Sequence, residues 1–183
     1  YRSADAGLSW ESFPSPLNIQ PPAPERYLVR TGGKGELFCY DQAENYRVYC
    51  SLDKGATWQG TNGAAFYRNW LHQHPDGTIF LNTFDNNISK VGISFSSDGL
   101  QWTPINFGNA FTDPQIVKIL PDGTIYFTAN TIGYRLFRTD TKFADWIMTG
   151  GTVTNNYMGM VIDNNHVMYR MGGTSPVLRS VND

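Results

Sequence analysis

The stretch Ser51-Leu52-Asp53-Lys54-Gly55-Ala56-Thr57-Trp58 decides how the chain is read, because it comes back. Ser3-Ala4-Asp5-Ala6-Gly7-Leu8-Ser9-Trp10 keeps its Ser, Asp, Gly and Trp. Ser96-Ser97-Asp98-Gly99-Leu100-Gln101-Trp102 is one residue shorter, and Thr139-Asp140-Thr141-Lys142-Phe143-Ala144-Asp145-Trp146 is degenerate. Leu178 to Asp183 looks like the opening of a fifth copy. The four tryptophans stand 48, 44 and 44 residues apart. A fixed period of this size marks a repeat architecture.

A second motif keeps the same register. His74-Pro75-Asp76-Gly77-Thr78-Ile79-Phe80 matches Leu120-Pro121-Asp122-Gly123-Thr124-Ile125-Tyr126. Looser copies are Lys34-Gly35-Glu36-Leu37-Phe38 and Asn164-Asn165-His166-Val167-Met168. Asp-Gly between apolar runs is a hairpin signal. Each period therefore reads as four short antiparallel strands, with the Asp-Gly turn between the first and second. The last of the four follows the Trp. No stretch keeps a capped 3.6-residue period, so no helix is expected. The predicted class is all-β, a propeller of four-stranded antiparallel blades, with about four blades in this chain.

The chemistry of the eight-residue motif is that of a turn. Ser and Asp side chains can satisfy backbone N–H groups locally, and Gly supplies the positive φ. The Trp ring is expected to bury between neighbouring sheets. At this spacing the segments resemble Asp boxes, the bacterial neuraminidase repeat of sialidases and other β-propellers. Ser3, Asp5, Gly7 and Trp10, and Ser51, Asp53, Gly55 and Trp58, fit every fixed position; Ser96, Asp98, Gly99, Trp102 and Trp146 are the remaining recognisable members. The resemblance implies a box joining the third and fourth strands at the outer rim. Asp5, Asp53 and Asp98 are then turn staples rather than catalytic acids. It implies one domain over residues 1–183, with units 14–58, 59–102 and 103–146, and a last unit of 147–183 plus 1–13. That gives a closed four-blade ring or an arc of a larger propeller. Sialidase-like propellers have six blades, and the start at Tyr1 without a leader reads as a processed protein or a piece of a longer one.

Composition narrows function. The 183 residues carry a net charge of −2, which argues against nucleic acid. The charged fraction is 16%, against about 25% for an average domain, and aromatics are 14%. No apolar run is long enough for a membrane helix. The sialidase Arg-Ile-Pro motif is absent. Aligning Gly35 with Gly77 places Arg26 and Arg68 at one position in adjacent units, at the start of the innermost strand. Arg26, Tyr27, Arg68, Asn69, Trp70 and Tyr157 are thus the expected ligand-binding residues at the mouth. Two arginines there could fork onto a carboxylate or sulfate. No catalytic residue, cofactor or metal site is expected, because His72 and His74 share a strand face without a third ligand. Cys39 and Cys50 flank a hairpin; pairing Leu37–Tyr40 with Val48–Cys50 sets them opposite each other, either as a disulfide or as two reduced thiols. A bridge would suggest an extracellular setting. Asn87-Ile88-Ser89 is a glycosylation sequon.

The resulting expectation is a non-catalytic recognition or adhesion propeller, extracellular or on a virus particle, binding a glycan or protein. It would self-associate or take a partner chain if the ring is incomplete. The alternatives are a sialidase-like glycoside hydrolase fragment and a structural component such as a tail-fibre part.

Overall fold

The computed structural model describes residues 3–12, 30–31, 34–41, 47–85, 90–152, 160–172 and 175–180. They form fourteen strands and no α-helix among the described residues. β1 (Arg30–Thr31), β2 (Leu37–Asp41), β3 (Arg47–Ser51), β4 (Gln59–Gln73), β5 (Ile79–Asp85), β6 (Lys90–Ser96) and β7 (Thr103–Pro104) run in sequence order across one sheet. β8 (Thr112–Ile119), β9 (Ile125–Thr131), β10 (Gly133–Thr139) and β11 (Ile147–Thr152) make a four-stranded sheet. β12 (Met160–Ile162), β13 (Met168–Gly172) and β14 (Ser175–Arg179) make a third sheet. All ladders between these strands are antiparallel.

The seven-stranded sheet is two repeat units joined by one long strand. β4 pairs with β3 through Gln59, Gly60 and Ala65, and with β5 through Phe66 and Leu71 to Gln73. Its first half is the outer strand of one unit and its second half the inner strand of the next. The Asp-Gly turns join first to second strands, and the Trp-bearing turns join third to fourth.

Period-two alternation puts opposite faces of each sheet into different cores. On β5, Ile79 and Leu81 turn toward Phe38, Val48 and Cys50 of the preceding unit. Phe80 between them turns toward Ile116, Ile125, Phe127 and Phe143 of the following unit. On β9, Tyr126 faces Ile162 of the last sheet while its neighbours face back. Strands buried on both faces must be apolar throughout, and β9 is buried from Ile125 to Ala129. Thr128 is a polar exception on β9 itself, and Asn82 of β5 is another. Buried completely, the Asn82 amide accepts from Ile116 N–H (2.9 Å) and donates to Ile116 C=O (3.3 Å), stitching one unit to the next inner strand.

The cysteine pairing is corrected by the register. Cys39 lies opposite Tyr49, and Cys50 opposite Phe38. A slip of one residue moves a side chain to the other sheet face, so the two thiols point apart. Both are buried and unbridged. Burial first, then Glu36 and Asp98, pushes the Cys50 thiol up to about 12.

Candidate functional site

The aspartates of the Trp-bearing turns are the most conspicuous carboxylates of the repeat. In the second copy Gly55 N–H donates to Ser51 Oγ (2.7 Å), and Ser51 Oγ–H to Asp53 Oδ1 (2.8 Å). Thr57 gives Asp53 both its N–H (2.8 Å) and its hydroxyl (2.6 Å). The first copy repeats this set with Ser3, Asp5, Gly7 and Ser9. The Ser9 and Thr57 hydrogen bonds, led by their hydroxyls, hold Asp5 and Asp53 down at about 2. Asp98 is lowered by the Gln101 and Leu100 N–H groups. A general acid needs the opposite shift. In the fourth copy the roles are exchanged: Thr141 Oγ1 accepts from Asp145 N–H (3.0 Å) and donates to Asp145 Oδ1 (2.7 Å). Phe143 takes the glycine place at φ 72° and sinks its ring into the second core.

The tryptophans differ among themselves. Trp102 is buried at 5% exposure, edge-on to Phe38 of the preceding unit. Trp146 packs on Phe107 and Phe111. Trp58 is half-buried, and Trp10 is 63% exposed. The expectation of a ring buried between sheets therefore describes Trp102 well and Trp10 poorly. Trp10 and Trp58 each donate from the indole N–H to the box glycine carbonyl (3.1 Å). Trp102, in the shortened copy, has no such acceptor.

At the other end of the sheets lie the starts of the inner strands. Arg68, Asn69 and Trp70 fall on β4 inside a register shift between Phe66 and Leu71; their side chains, like the whole of Arg26, Tyr27 and Tyr157, lie outside the described residues, as does the sequon. β8 carries a register shift at the same station, between Thr112 and Gln115. Bulges at this position re-aim side chains and recur beside functional sites. Asp113 sits in that shift with φ 52°, directly before Pro114. A residue preceding proline is driven toward extended backbone, so this conformation is strained. Among the described residues its half-buried carboxylate has two long contacts, from Val91 N–H and Tyr134 O–H, both at 3.5 Å. They span two units. Beside it the β9–β10 turn presents Ile132, 92% exposed. Sequence reading missed Asp113; the available signal was an Asp, which tolerates positive φ, one residue before Pro114, which takes the place of Arg68 when the Gly77 and Gly123 turns are aligned.

The Asp-Gly end is built differently. His74 Nε2 lies 3.2 Å from the Gly123 carbonyl oxygen, and Nδ1 lies 2.8 Å from Asp76 Oδ1. Lys142 Nζ reaches Asp76 Oδ2 at 2.5 Å. Lys142, then the Thr78 N–H, hold Asp76 far below the usual carboxylate range. His166 bridges Asp122 Oδ2 and the Tyr126 hydroxyl, each at 2.9 Å. Burial raises the Tyr126 phenol against the opposing pull of Arg138, so the hydroxyl of this Asp–His–Tyr chain is inaccessible and unactivated. Successive turns are thus clamped together, and a groove of about 410 Å³ opens among them. His72 and His74 have separate partners, His74 meeting Gly123 and Asp76. His72 is held near the β8 backbone at Ile116, where burial lowers it to about 4. Among the described residues no group of three or more His, Cys, Asp or Glu could hold a metal ion.

No protein-family model and no curated protein matches the chain. Solved structures do. A catalytically inactive variant of virginiamycin B lyase from Staphylococcus aureus with quinupristin superposes with TM-score 0.54 at 15% identity, covering 88% of this chain and 57% of that one. YCF48 bound to D1 peptide superposes with TM-score 0.57 at 19% identity, covering 97% of this chain and 56% of that one. This chain is a β-propeller of about four blades. It spans a little over half the length of either neighbour.

Proposed function

We propose that this propeller is a non-catalytic recognition module of the Asp-box, sialidase-like kind, holding a protein or glycan at the end where its inner strands begin. One observation carries the reading: Asp113, strained and without a cationic partner among the described residues, stands in a bulge that recurs in the neighbouring blade. Strained, poorly satisfied polar groups collect at binding sites, because a ligand supplies what the fold does not. Asp113, the Tyr134 hydroxyl and exposed Ile132 offer an acceptor, a phenol and an apolar contact over a short distance along the rim. Arg26, Tyr27, Arg68, Asn69, Trp70 and Tyr157 belong to the same proposed mouth. The Ser–Asp–Gly hydrogen-bond pattern of the turns supports the Asp-box assignment. One structural neighbour holds a peptide, and by analogy a protein ligand is the first to try. An extracellular or particle-surface setting goes with this reading; it draws on composition and the Asn87-Ile88-Ser89 sequon, not on the unbridged cysteines.

The test is to probe the purified chain on peptide and glycan arrays, alongside a fluorogenic sialoside. Saturable binding that drops about tenfold in Asp113→Asn, at unchanged melting temperature, is the expected result. Sialoside hydrolysis would replace the reading with an enzyme. Binding indifferent to both Asp113→Asn and Arg68→Ala would move the ligand elsewhere.

A further inference from the structure

The groove at the Asp-Gly end carries an independent inference. It lies opposite the proposed mouth and is framed by three successive first-to-second-strand turns, with Gln73, His74 and Pro75 from one blade, Lys118 and Pro121 from the next, and Asn164 from the last. Its volume falls in the range of about 300–1,000 Å³ typical of ligand sites.

Its charge pattern is selective. Three aspartates stand around it, and each is already engaged. Asp76 is held by Lys142 and His74, and Asp122 by His166. Asp163 Oδ1 accepts the N–H groups of Asn165 and Val167, each at 2.9 Å. Lys118 is different. It is exposed on β8, inside the groove, with no carboxylate partner among the described residues. His72, on the strand that also carries His74, is disfavoured as a cation first by its burial and then by this same lysine. The lining therefore presents one ammonium, two side-chain amides and two prolyl rings, together with the His74 ring, Ile119 and Leu120. Amides read backbone N–H and C=O groups, prolyl faces take small apolar side chains, and the ammonium takes a carboxylate. The cross-blade clamps at His74 and His166 hold the framing turns in place, so little ordering is left for binding to meet.

We propose that this groove is a second binding site, for an extended peptide segment bearing an Asp or Glu side chain, anchored on Lys118. The lining favours peptide over sugar, since amides and prolines, rather than flat aromatic platforms, surround the cation.

The experiment uses an array of hexapeptides varied at every position. The native chain should enrich sequences containing Asp or Glu. The best of these, labelled and measured by fluorescence polarisation, should bind about tenfold more weakly to Lys118→Ala, whose melting temperature stays native because Lys118 is exposed. Lys118→Glu should shift the array enrichment to Lys and Arg. Asp113→Asn, at the other end, should leave this binding unchanged. Absence of acidic enrichment, or the same enrichment with Lys118→Glu, overturns the proposal. So does tighter capture of the chain by sialylated or uronic-acid oligosaccharides through Lys118.

Discussion

Gly99 shows how a single residue can join two blades. Its φ is 78°, a region that other residues enter at a cost. It also leaves no room for a side chain: a Cβ there would lie 2.9 Å from Phe38 Cζ and 3.1 Å from Cys50 Sγ, both in the preceding blade. Two penalties would therefore add in Gly99→Ala, backbone strain and overpacking of a core that also holds Val48, Ile79, Leu81 and Trp102. The expected loss is about 3 kcal/mol in urea unfolding. Gly35 is the control. Its φ is 88°, but a Cβ there meets nothing within 4 Å, so Gly35→Ala should cost only the conformational part, about 1 kcal/mol. Equal losses at the two sites would mean that the shortened turn does not press on the neighbouring sheet.

The turns are the elements at which sequence and structure agree most closely, and the reason is local. Ser51, Asp53 and Thr57 satisfy one another's donors and acceptors within seven residues, so the pattern can be read without knowing what surrounds it. The same chemistry gives a pH signature. The carboxyl of Asp53 is held at about 2 by Thr57 and Ser51, below an unfolded value of about 3.9. A depressed carboxyl stabilises the fold fully above its unfolded pKa, and the contribution is lost as pH falls toward the folded one. The gap in melting temperature between the native chain and Asp53→Asn should hold steady above pH ~4.5 and close toward pH ~2. A gap that stays constant over that interval would show the carboxylate charge to be idle. What could not be read locally depends on sheets meeting. The Cys39–Cys50 register turned on a single residue of hairpin length. The double role of β4, the Asn82 clamp on Ile116 and the strain at Asp113 each need two blades side by side. The groove was invisible for the same reason, since Gln73, Lys118 and Asn164 belong to three different units.

For the whole molecule, the decisive feature is that every core described joins successive repeat units rather than lying within one. The first joins Phe38 and Val48 to Ile79 and Leu81, the second joins Phe80 to Phe127, and the third joins Leu120 to Ile162. No blade has an interior of its own, so stability resides in the interfaces, as in stacked repeats. A titrating group at such an interface should then be felt by the entire fold. His72 is that group. It lies on β4 against Ile116 of β8, where burial first, and Lys118 as well, bring it from 6.5 down to about 4, with the Ile116 backbone opposing. Above pH ~6.5 the ring is neutral whether folded or not, and the interface is intact. Between that value and about 4 the unfolded chain binds a proton that the folded chain refuses, so stability falls as pH falls. Over the whole interval the loss attributable to His72 is about 3 kcal/mol, and below it no further loss arises from this residue. His72→Gln keeps a hydrogen-bonding side chain without the titration. Urea unfolding of the two proteins from pH 7.5 to 4 should give a steeper decline for the native chain, the difference developing below pH ~6.5. Parallel declines would place His72 in contact with water and remove the interface argument at that blade pair.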